Sequence, residues 1–522
     1  MPNVACANSG RVMISSTRCA RSEGACALTH VVAKKKAGSN ILKRFMKYLE
    51  ELCSTQFKFL RKANLCYPVR HFANNVRHSK DNFLPLLRTL TLRDVVLLIV
   101  GTVIGSGIFL VPGPVLRNVH NRVDLALAVW LLGGLLSLMG ALTYGELGAM
   151  KPQAGGLYVY LRDCFGRPLA FLYGWALFFM MSSGSVATLA VAFSTYLRQI
   201  VPLNDIEAKI VASAMIVVVG VINVIGTRKS ANVQNVATAL KVAAILAMTV
   251  VLFALGGHSS ATVTATTTQT GTLYSGFGLA MISVLWAYEG WQYCTFSAGE
   301  IADPQKTFPR ALLVGSLVLV SVYVLANLGY LAALGAGGAA ASNRVASDAI
   351  GAVLGPGFAK LISLAILVSM FSAANGLILT SPRVYYAMAQ DGVFFRKLAE
   401  VHPRYQTPAF AVIAGCAWSI VLAVSGTFEQ LLTYVIFTGW IFYAFGALAV
   451  FVYRRREPDA ERPYRVPGYP VTPILFVLAA TALVVNTVIA QPARAAVGLG
   501  LVLAGAPVYF IWNARSKRQA KD

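Results

Sequence analysis

From Leu92 to Trp512 the chain is a succession of apolar runs, each long enough to cross a bilayer, separated by short polar loops. A spanning helix needs roughly 20 mostly apolar residues. Membrane-spanning β-strands are shorter, about 10 residues, and alternate apolar with polar positions. Runs such as Ile210–Ile225 and Ile474–Ile489 do not alternate. Composition points the same way: 57% of the residues are hydrophobic and only 13% charged, against about a quarter charged in soluble domains. A chain of 522 residues this apolar cannot hide its surface in one water-soluble core. The fold class is therefore an all-α polytopic membrane protein, and a large soluble enzyme is excluded.

Twelve spans are expected, near 93–117, 125–149, 168–200, 209–226, 233–256, 275–298, 309–334, 357–389, 408–425, 430–453, 472–490 and 495–513. The net charge of +24 invites a nucleic-acid reading, but its placement argues against one. Basic residues gather in alternate loops, at Arg228 and Lys229, Lys306 and Arg310, Arg396, Lys397 and Arg404, and Arg454, Arg455 and Arg456, while the opposite loop Gly256–Thr272 carries only His258. Lys and Arg collect in cytoplasmic loops, so this excess orients the chain and puts both termini in the cytoplasm. Arg117 and Arg122, in the loop after the first span, are exceptions. Residues 1–85 are polar, basic and irregular, and show no signal-peptide pattern. They read as a disordered extension or as sequence upstream of the translation start. Within them Ile41–Lys62 has the character of a basic amphipathic helix. Five of the eight cysteines fall in this segment. None of the eight has metal-ligand spacing with histidines, so no metal is expected. None falls in an expected external loop, so no structural disulfide is expected; no cofactor is expected either.

Two spans are interrupted. The first reads Gly101-Thr-Val103-Ile-Gly105-Ser106-Gly107-Ile-Phe109, with three glycines where a membrane helix should be most regular. Gly101 and Gly105 also make a small-residue packing pair. Unwound backbone at membrane depth survives where it lines a cavity or meets a partner. The sixth span reads Trp286-Ala287-Tyr288-Glu289-Gly290-Trp291. A carboxylate at mid-span is unfavourable by at least about 2.5 kcal/mol, which makes Glu289 a functional candidate. Breaks at matching positions in two five-helix halves, here about 93–256 and 275–453, point to a transporter built from inverted repeats.

The chemistry follows from helix ends. A break exposes N–H groups that attract an anion and carbonyls that suit a cation. Two facing breaks together suit a carboxylate and an ammonium, the two charges of an α-amino acid. Lys241 lies about two turns inside the fifth span, where it is either a snorkelling residue, a fixed cation or a proton-responsive group.

These stretches resemble the amino acid–polyamine–organocation superfamily, and within it the L-type amino acid transporter branch. The resemblance rests on Gly101–Phe109, Ala239–Lys241 and Trp286–Trp291. It extends to Tyr144–Gly148 before Gly155–Tyr158, Gly299–Pro304 before Pro309, Asn375-Gly376 before Ser381-Pro382-Arg383, and Arg455–Pro458 before Glu461-Arg462-Pro463. It runs from about Leu92 to the end.

The resemblance implies a LeuT-like fold of five plus five helices with two extra helices at about 472–513. It implies an amino acid substrate whose carboxylate meets Gly105, Ser106 and Gly107. The substrate amine would meet carbonyls of Val103, Trp286 and Glu289, with Ala287 leaving room beside them and Trp286 as a gate. Lys241 matches a lysine that stands in for a sodium ion, so transport should be sodium-independent. The loop Ile200–Ile206 lacks the cysteine by which some members pair with a heavy chain, so a stand-alone, prokaryotic-type transporter of the cell membrane is expected. Glu289 departs from the small residue many relatives carry; it either contacts a cationic substrate side chain or braces its helix.

Several further residues stand out. Glu146 reads as an interfacial ion-pair partner. Tyr288, Asn375 and Gly376 read as lining or packing residues. Glu300, Asp303 and Arg383 read as ion-pair partners closing an inner gate. The leading function is an exchanger or facilitator working by alternating access. Its alternatives are a proton-coupled amino acid symporter and, in another class, an amino acid sensor or channel. No nucleophile, base and orienting group recur at motif spacing, so an enzyme is not expected.

Overall fold

Thr91 starts the first helix with a reciprocal cap. The Asp94 N–H donates to Thr91 Oγ1 at 3.5 Å, and the Thr91 N–H to Asp94 Oδ2 at 2.8 Å, satisfying two of the donors that a helix start leaves unpaired. The computed structural model describes residues 86–198, 200–258, 273–425 and 428–519. The expectations for residues 1–85, including Ile41–Lys62, fall outside the described residues.

Helix α1 (Leu92–Val103) stops at Ile104 and resumes past Ser106 as α2 (Gly107–Leu110) and α3 (Pro112–Asn118). Then come α4 (Val123–Met150), α5 (Leu157–Phe165) and α6 (Arg167–Ala176), the last running through a wide π turn at Leu177–Met181 into α7 (Ser182–Leu197). Helices α8 (Asp205–Ile225), α9 (Thr227–Leu255) and α10 (Leu273–Ala287) follow. After α10 the chain turns at Tyr288–Gly290 and continues as a 3₁₀ stretch, Trp291–Glu300. The remainder is α11 (Pro304–Ala341), α12 (Val345–Leu354), α13 (Pro356–Thr380), α14 (Pro382–Gln390), α15 (Ala409–Ser425), α16 (Phe428–Arg456), α17 (Val471–Ala490), α18 (Pro492–Leu503) and α19 (Gly505–Gln519).

Among the described residues, ten helical segments are long and apolar enough to cross a membrane. The 17-residue α15 and the interrupted pair of α10 and Trp291–Glu300 complete the twelve crossings. Side chains such as Val217, Val221, Leu240, Val250 and Leu317 lie on the outer surface, each about half exposed or more. A water-soluble protein would bury them; here the surrounding hydrocarbon takes that role.

The structure departs from expectation in the loops. Helix α11 runs further at both ends than the expected span 309–334 and bends at Gly335, whose φ is 64°. Two short helices, α5 and α12, occupy stretches expected to be loops. Helix α5 follows Gly155 and Gly156, both at positive φ. A Cβ on Gly156 would lie 2.5 Å from the Thr295 carbonyl carbon, so only glycine lets this turn press against the 3₁₀ half of the sixth span.

Candidate functional site

The two breaks touch each other. A Cβ on Gly107 would sit 2.7 Å from the Ala287 Cα, and one on Gly290 would sit 3.2 Å from the Thr102 carbonyl carbon. Gly290 itself has φ 129°, a conformation costly for any side-chain-bearing residue. Gly107 and Gly290 therefore serve the approach of each broken helix to the other. Helix α11 fastens them. The Tyr323 hydroxyl lies 2.9 Å from the Ala287 carbonyl and 3.3 Å from the Val103 carbonyl, one phenol set between the carbonyls of both breaks. Tyr323 is fully buried against Trp130 and Tyr288.

Unwinding α1 frees carbonyls at its end, and the amine of a lysine fills that place. Lys241 of α9 donates from Nζ to the Gly101 carbonyl at 2.6 Å and to the Ile104 carbonyl at 2.5 Å, with the Ser369 carbonyl at 3.5 Å. The lysine is 2% exposed and does not snorkel. Gly101 makes this reach short: any Cβ there would collide with Thr238 and Gln234 of the same α9. Ser369 Oγ of α13 lies 3.0 Å from both the Ile104 and Gly105 carbonyls. The donor side of the break is open. Among the described residues the N–H groups of Gly105 and Ser106 have no hydrogen-bond acceptor, and the buried Ser106 hydroxyl has no partner.

Glu289 is held from the far side of the second break. Its Oε1 accepts from Tyr443 of α16 and from Gln292, each at 2.5 Å, and Gln292 Nε2 is also 2.6 Å from the Tyr443 oxygen. Gln292 further accepts from the Gly290 N–H at 3.2 Å. These hydrogen bonds tie Glu289 to α16 and to the chain after the second break, while Glu289 also lines the cavity described next.

Between these elements lies a cavity of about 30 Å³, room for two waters or so. Val103, Gly105, Ser106, Gly107, Trp286 and Glu289 all line it, joined by Ser185, Leu189, Tyr293, Ala373 and Leu377. The buried hydroxyls of Ser185 and Tyr293 also lack partners. Buried polar groups are normally hydrogen-bonded, so hydroxyls left open around a cavity mark it as a place for a polar ligand. Six of the seven residues singled out in the two breaks therefore share one wall. Ala287 is not on it; it packs on Gly107 instead. Lys241 stands behind the first break, outside the cavity lining.

The other residues singled out sort clearly. Tyr288 is packed between Trp130 and Tyr323. Asn375 joins Asn223, Ser230 and Gln234 in a buried hydrogen-bond network between α8, α9 and α13. Glu146 pairs with Arg454 through both oxygens, at 2.8 and 2.7 Å, and accepts from the Val466 N–H. Glu300 and Arg383 form a fully buried pair, 2.6 Å between Nε and Oε2. Asp303 takes a left-handed conformation ahead of α11 and makes no ion pair among the described residues.

Similarity to known proteins bears on this geometry. A family profile described as "Amino acid permease" matches residues 90–511. The chain is 32% identical over 440 residues to the "Serine/threonine exchanger SteT" of Bacillus subtilis (strain 168), covering 83% of this chain and 98% of that protein. It is 31% identical over 437 residues to the "Large neutral amino acids transporter small subunit 2" of Oryctolagus cuniculus, covering 80% of each. It is 30% identical over 441 residues to the human "Cystine/glutamate transporter", covering 83% of this chain and 87% of that one.

Proposed function

The chain belongs to the amino acid permease family, in the L-type-like branch of the amino acid–polyamine–organocation superfamily, whose members are transporters and not enzymes, and from that premise we propose that it is a sodium-independent amino acid exchanger. The observation that carries the proposal is the Lys241 ammonium seated on the Gly101 and Ile104 carbonyls. A break of this kind attracts a cation, and a fixed lysine there removes the need for a mobile one.

The substrate carboxylate is placed on the open donors of Gly105, Ser106 and Gly107. Its amine is placed on carbonyls of Val103, Trp286 and Glu289, beneath Trp286 as the gate. Glu289 acts as the brace that fixes the second break. The small cavity and the serine/threonine exchange named for the Bacillus relative support small neutral substrates. Even these exceed the space of two waters, so lining side chains shift on binding, as alternating access requires. We place the protein in the cell membrane as a stand-alone transporter with both termini in the cytoplasm.

Uptake of labelled serine into proteoliposomes tests this. Stimulation by internal unlabelled serine, without sodium and without a pH gradient, is expected. Accumulation in empty vesicles that needs an inward proton gradient would replace exchange by proton symport. No uptake by folded protein would end the assignment.

Tyr323→Phe keeps the ring and removes its hydroxyl from both carbonyls. That hydroxyl has one proton to share between them, and such a bond contributes roughly 0.5–1.5 kcal/mol, so the KM for serine is expected to rise by up to about tenfold, with the maximal rate changing much less. Unchanged KM would show that the hydroxyl only packs.

A further inference from the structure

A second cavity lies beside the first. Smaller, about 10 Å³, it is lined by Ser182, Ser381, Tyr385, Cys416 and Ser419 among others. The same helix faces line both. On α7, Ser185 and Leu189 face the first cavity and Ser182 and Val186 the second. On α13, Ala373 faces the first cavity; Ser381, just past the end of that helix, faces the second, and Leu377 stands between them in sequence. These positions are four residues apart, about one turn each. Leu377 is the one residue lining both cavities. The two spaces therefore meet at Leu377.

The two spaces differ in character. The first is bounded by the broken helices and their open backbone donors. The second contains none of that backbone, and the surface it presents is mostly apolar. Its serines are largely engaged already: Ser182 donates to Ser381 at 2.6 Å and Ser419 to the Gly415 carbonyl at 2.8 Å. Just before Ser182 the helix widens into the π turn Leu177–Met181, an irregularity that commonly accompanies functional sites.

We propose that Leu377 sets the upper limit on the substrate side chain, closing off a mostly apolar extension that would otherwise accept longer side chains. This rests on the reading that the first cavity holds the amino acid. A single methylene in such a pocket shifts discrimination by roughly 10–200-fold, and Leu377→Ala removes three carbons and merges two spaces.

The experiment measures inhibition of labelled alanine uptake by unlabelled glycine, alanine, leucine, phenylalanine and tyrosine, in proteoliposomes exchanging against internal alanine. For the unsubstituted protein, inhibition should weaken steeply as the competitor grows. In Leu377→Ala the larger three should gain at least about tenfold relative to alanine. Leu377→Val should fall between, which keeps the test available if the alanine variant misfolds. Ile378 lines only the second cavity, so Ile378→Ala should leave the ranking unchanged. An unchanged ranking in both Leu377 variants overturns the proposal. So does equal broadening in Ile378→Ala, or a rate increase shared by all sizes, which would make Leu377 a barrier to passage instead of a selector. Absence of alanine uptake by the unsubstituted protein would instead overturn the exchanger reading, and this inference with it.

Discussion

Lys241→Ala is expected to reduce amino acid exchange by at least about a hundredfold while the protein still folds and inserts. The ammonium makes charge-assisted bonds to the Gly101 and Ile104 carbonyls at 2.6 and 2.5 Å. Bonds of this kind contribute roughly 1.5–3 kcal/mol each, and tenfold in an equilibrium constant corresponds to about 1.4 kcal/mol. Two of them span roughly a hundredfold to ten-thousandfold. Removing the lysine also leaves carbonyls at the end of α1 without a strong donor at membrane depth, where no water replaces it. Ser369 still reaches the Ile104 and Gly105 carbonyls, so the break should loosen without dissolving the fold. Lys241→Arg keeps the charge but brings a wide planar fork into a space shaped for one nitrogen, and it should not rescue. The measurement is exchange in sodium-free proteoliposomes, with size-exclusion profiles confirming folded protein. Exchange within threefold of the unsubstituted rate in Lys241→Ala would remove the central support for sodium independence.

The parts of this site that were legible in sequence are those where the chain breaks a rule. Three glycines in Gly101–Gly107 and the Glu289-Gly290 pair interrupt otherwise apolar spans, and Lys241 is a charge where none should be. Each costs a membrane helix enough to need a reason. The residues that complete the site break no rule. Tyr323, Ser369 and Tyr443 are isolated hydroxyls in apolar helices, Ser185 is one of three serines in Ser182–Ser185, and Tyr323 reaches the Val103 carbonyl from 220 positions away. Ser and Thr at such positions usually bond their own helix backbone, as Thr188 does to Gly184 here, so nothing local marks the exceptions. The same reasoning explains the two short helices. Nine or ten residues, as in α5 and α12, are too few to show a helical period against loop composition. Their boundaries are drawn by glycines at positive φ, Gly156 and Gly166 around one and Gly355 after the other.

Arg383→Met should cost the folded state roughly 3–5 kcal/mol, the usual penalty for leaving one member of a buried ion pair without the other. Glu300 is 1% exposed and Arg383 not at all, so the stranded carboxylate keeps only Thr227, which donates to it at 2.8 Å. The pair also has a mechanical position. The Glu300 carbonyl accepts the Thr89 and Leu90 N–H groups at 2.8 and 3.0 Å, and Leu90 in turn accepts from Ala302. One residue thereby ties the segment before α1 to the end of the sixth span, while its side chain ties both to α9 and α14. For the site to open toward this end those elements must part, so the pair is expected to act as an inner gate. A double-mutant cycle separates gate from brace. Replacing both partners by apolar residues of similar volume, Glu300→Leu with Arg383→Met, removes the stranded charge and should recover most of the melting temperature. If the pair gates, exchange in that double variant stays at least about tenfold from normal although stability returns. Recovery of both together would make the pair a structural brace, and normal exchange and melting in Arg383→Met alone would deny it either role.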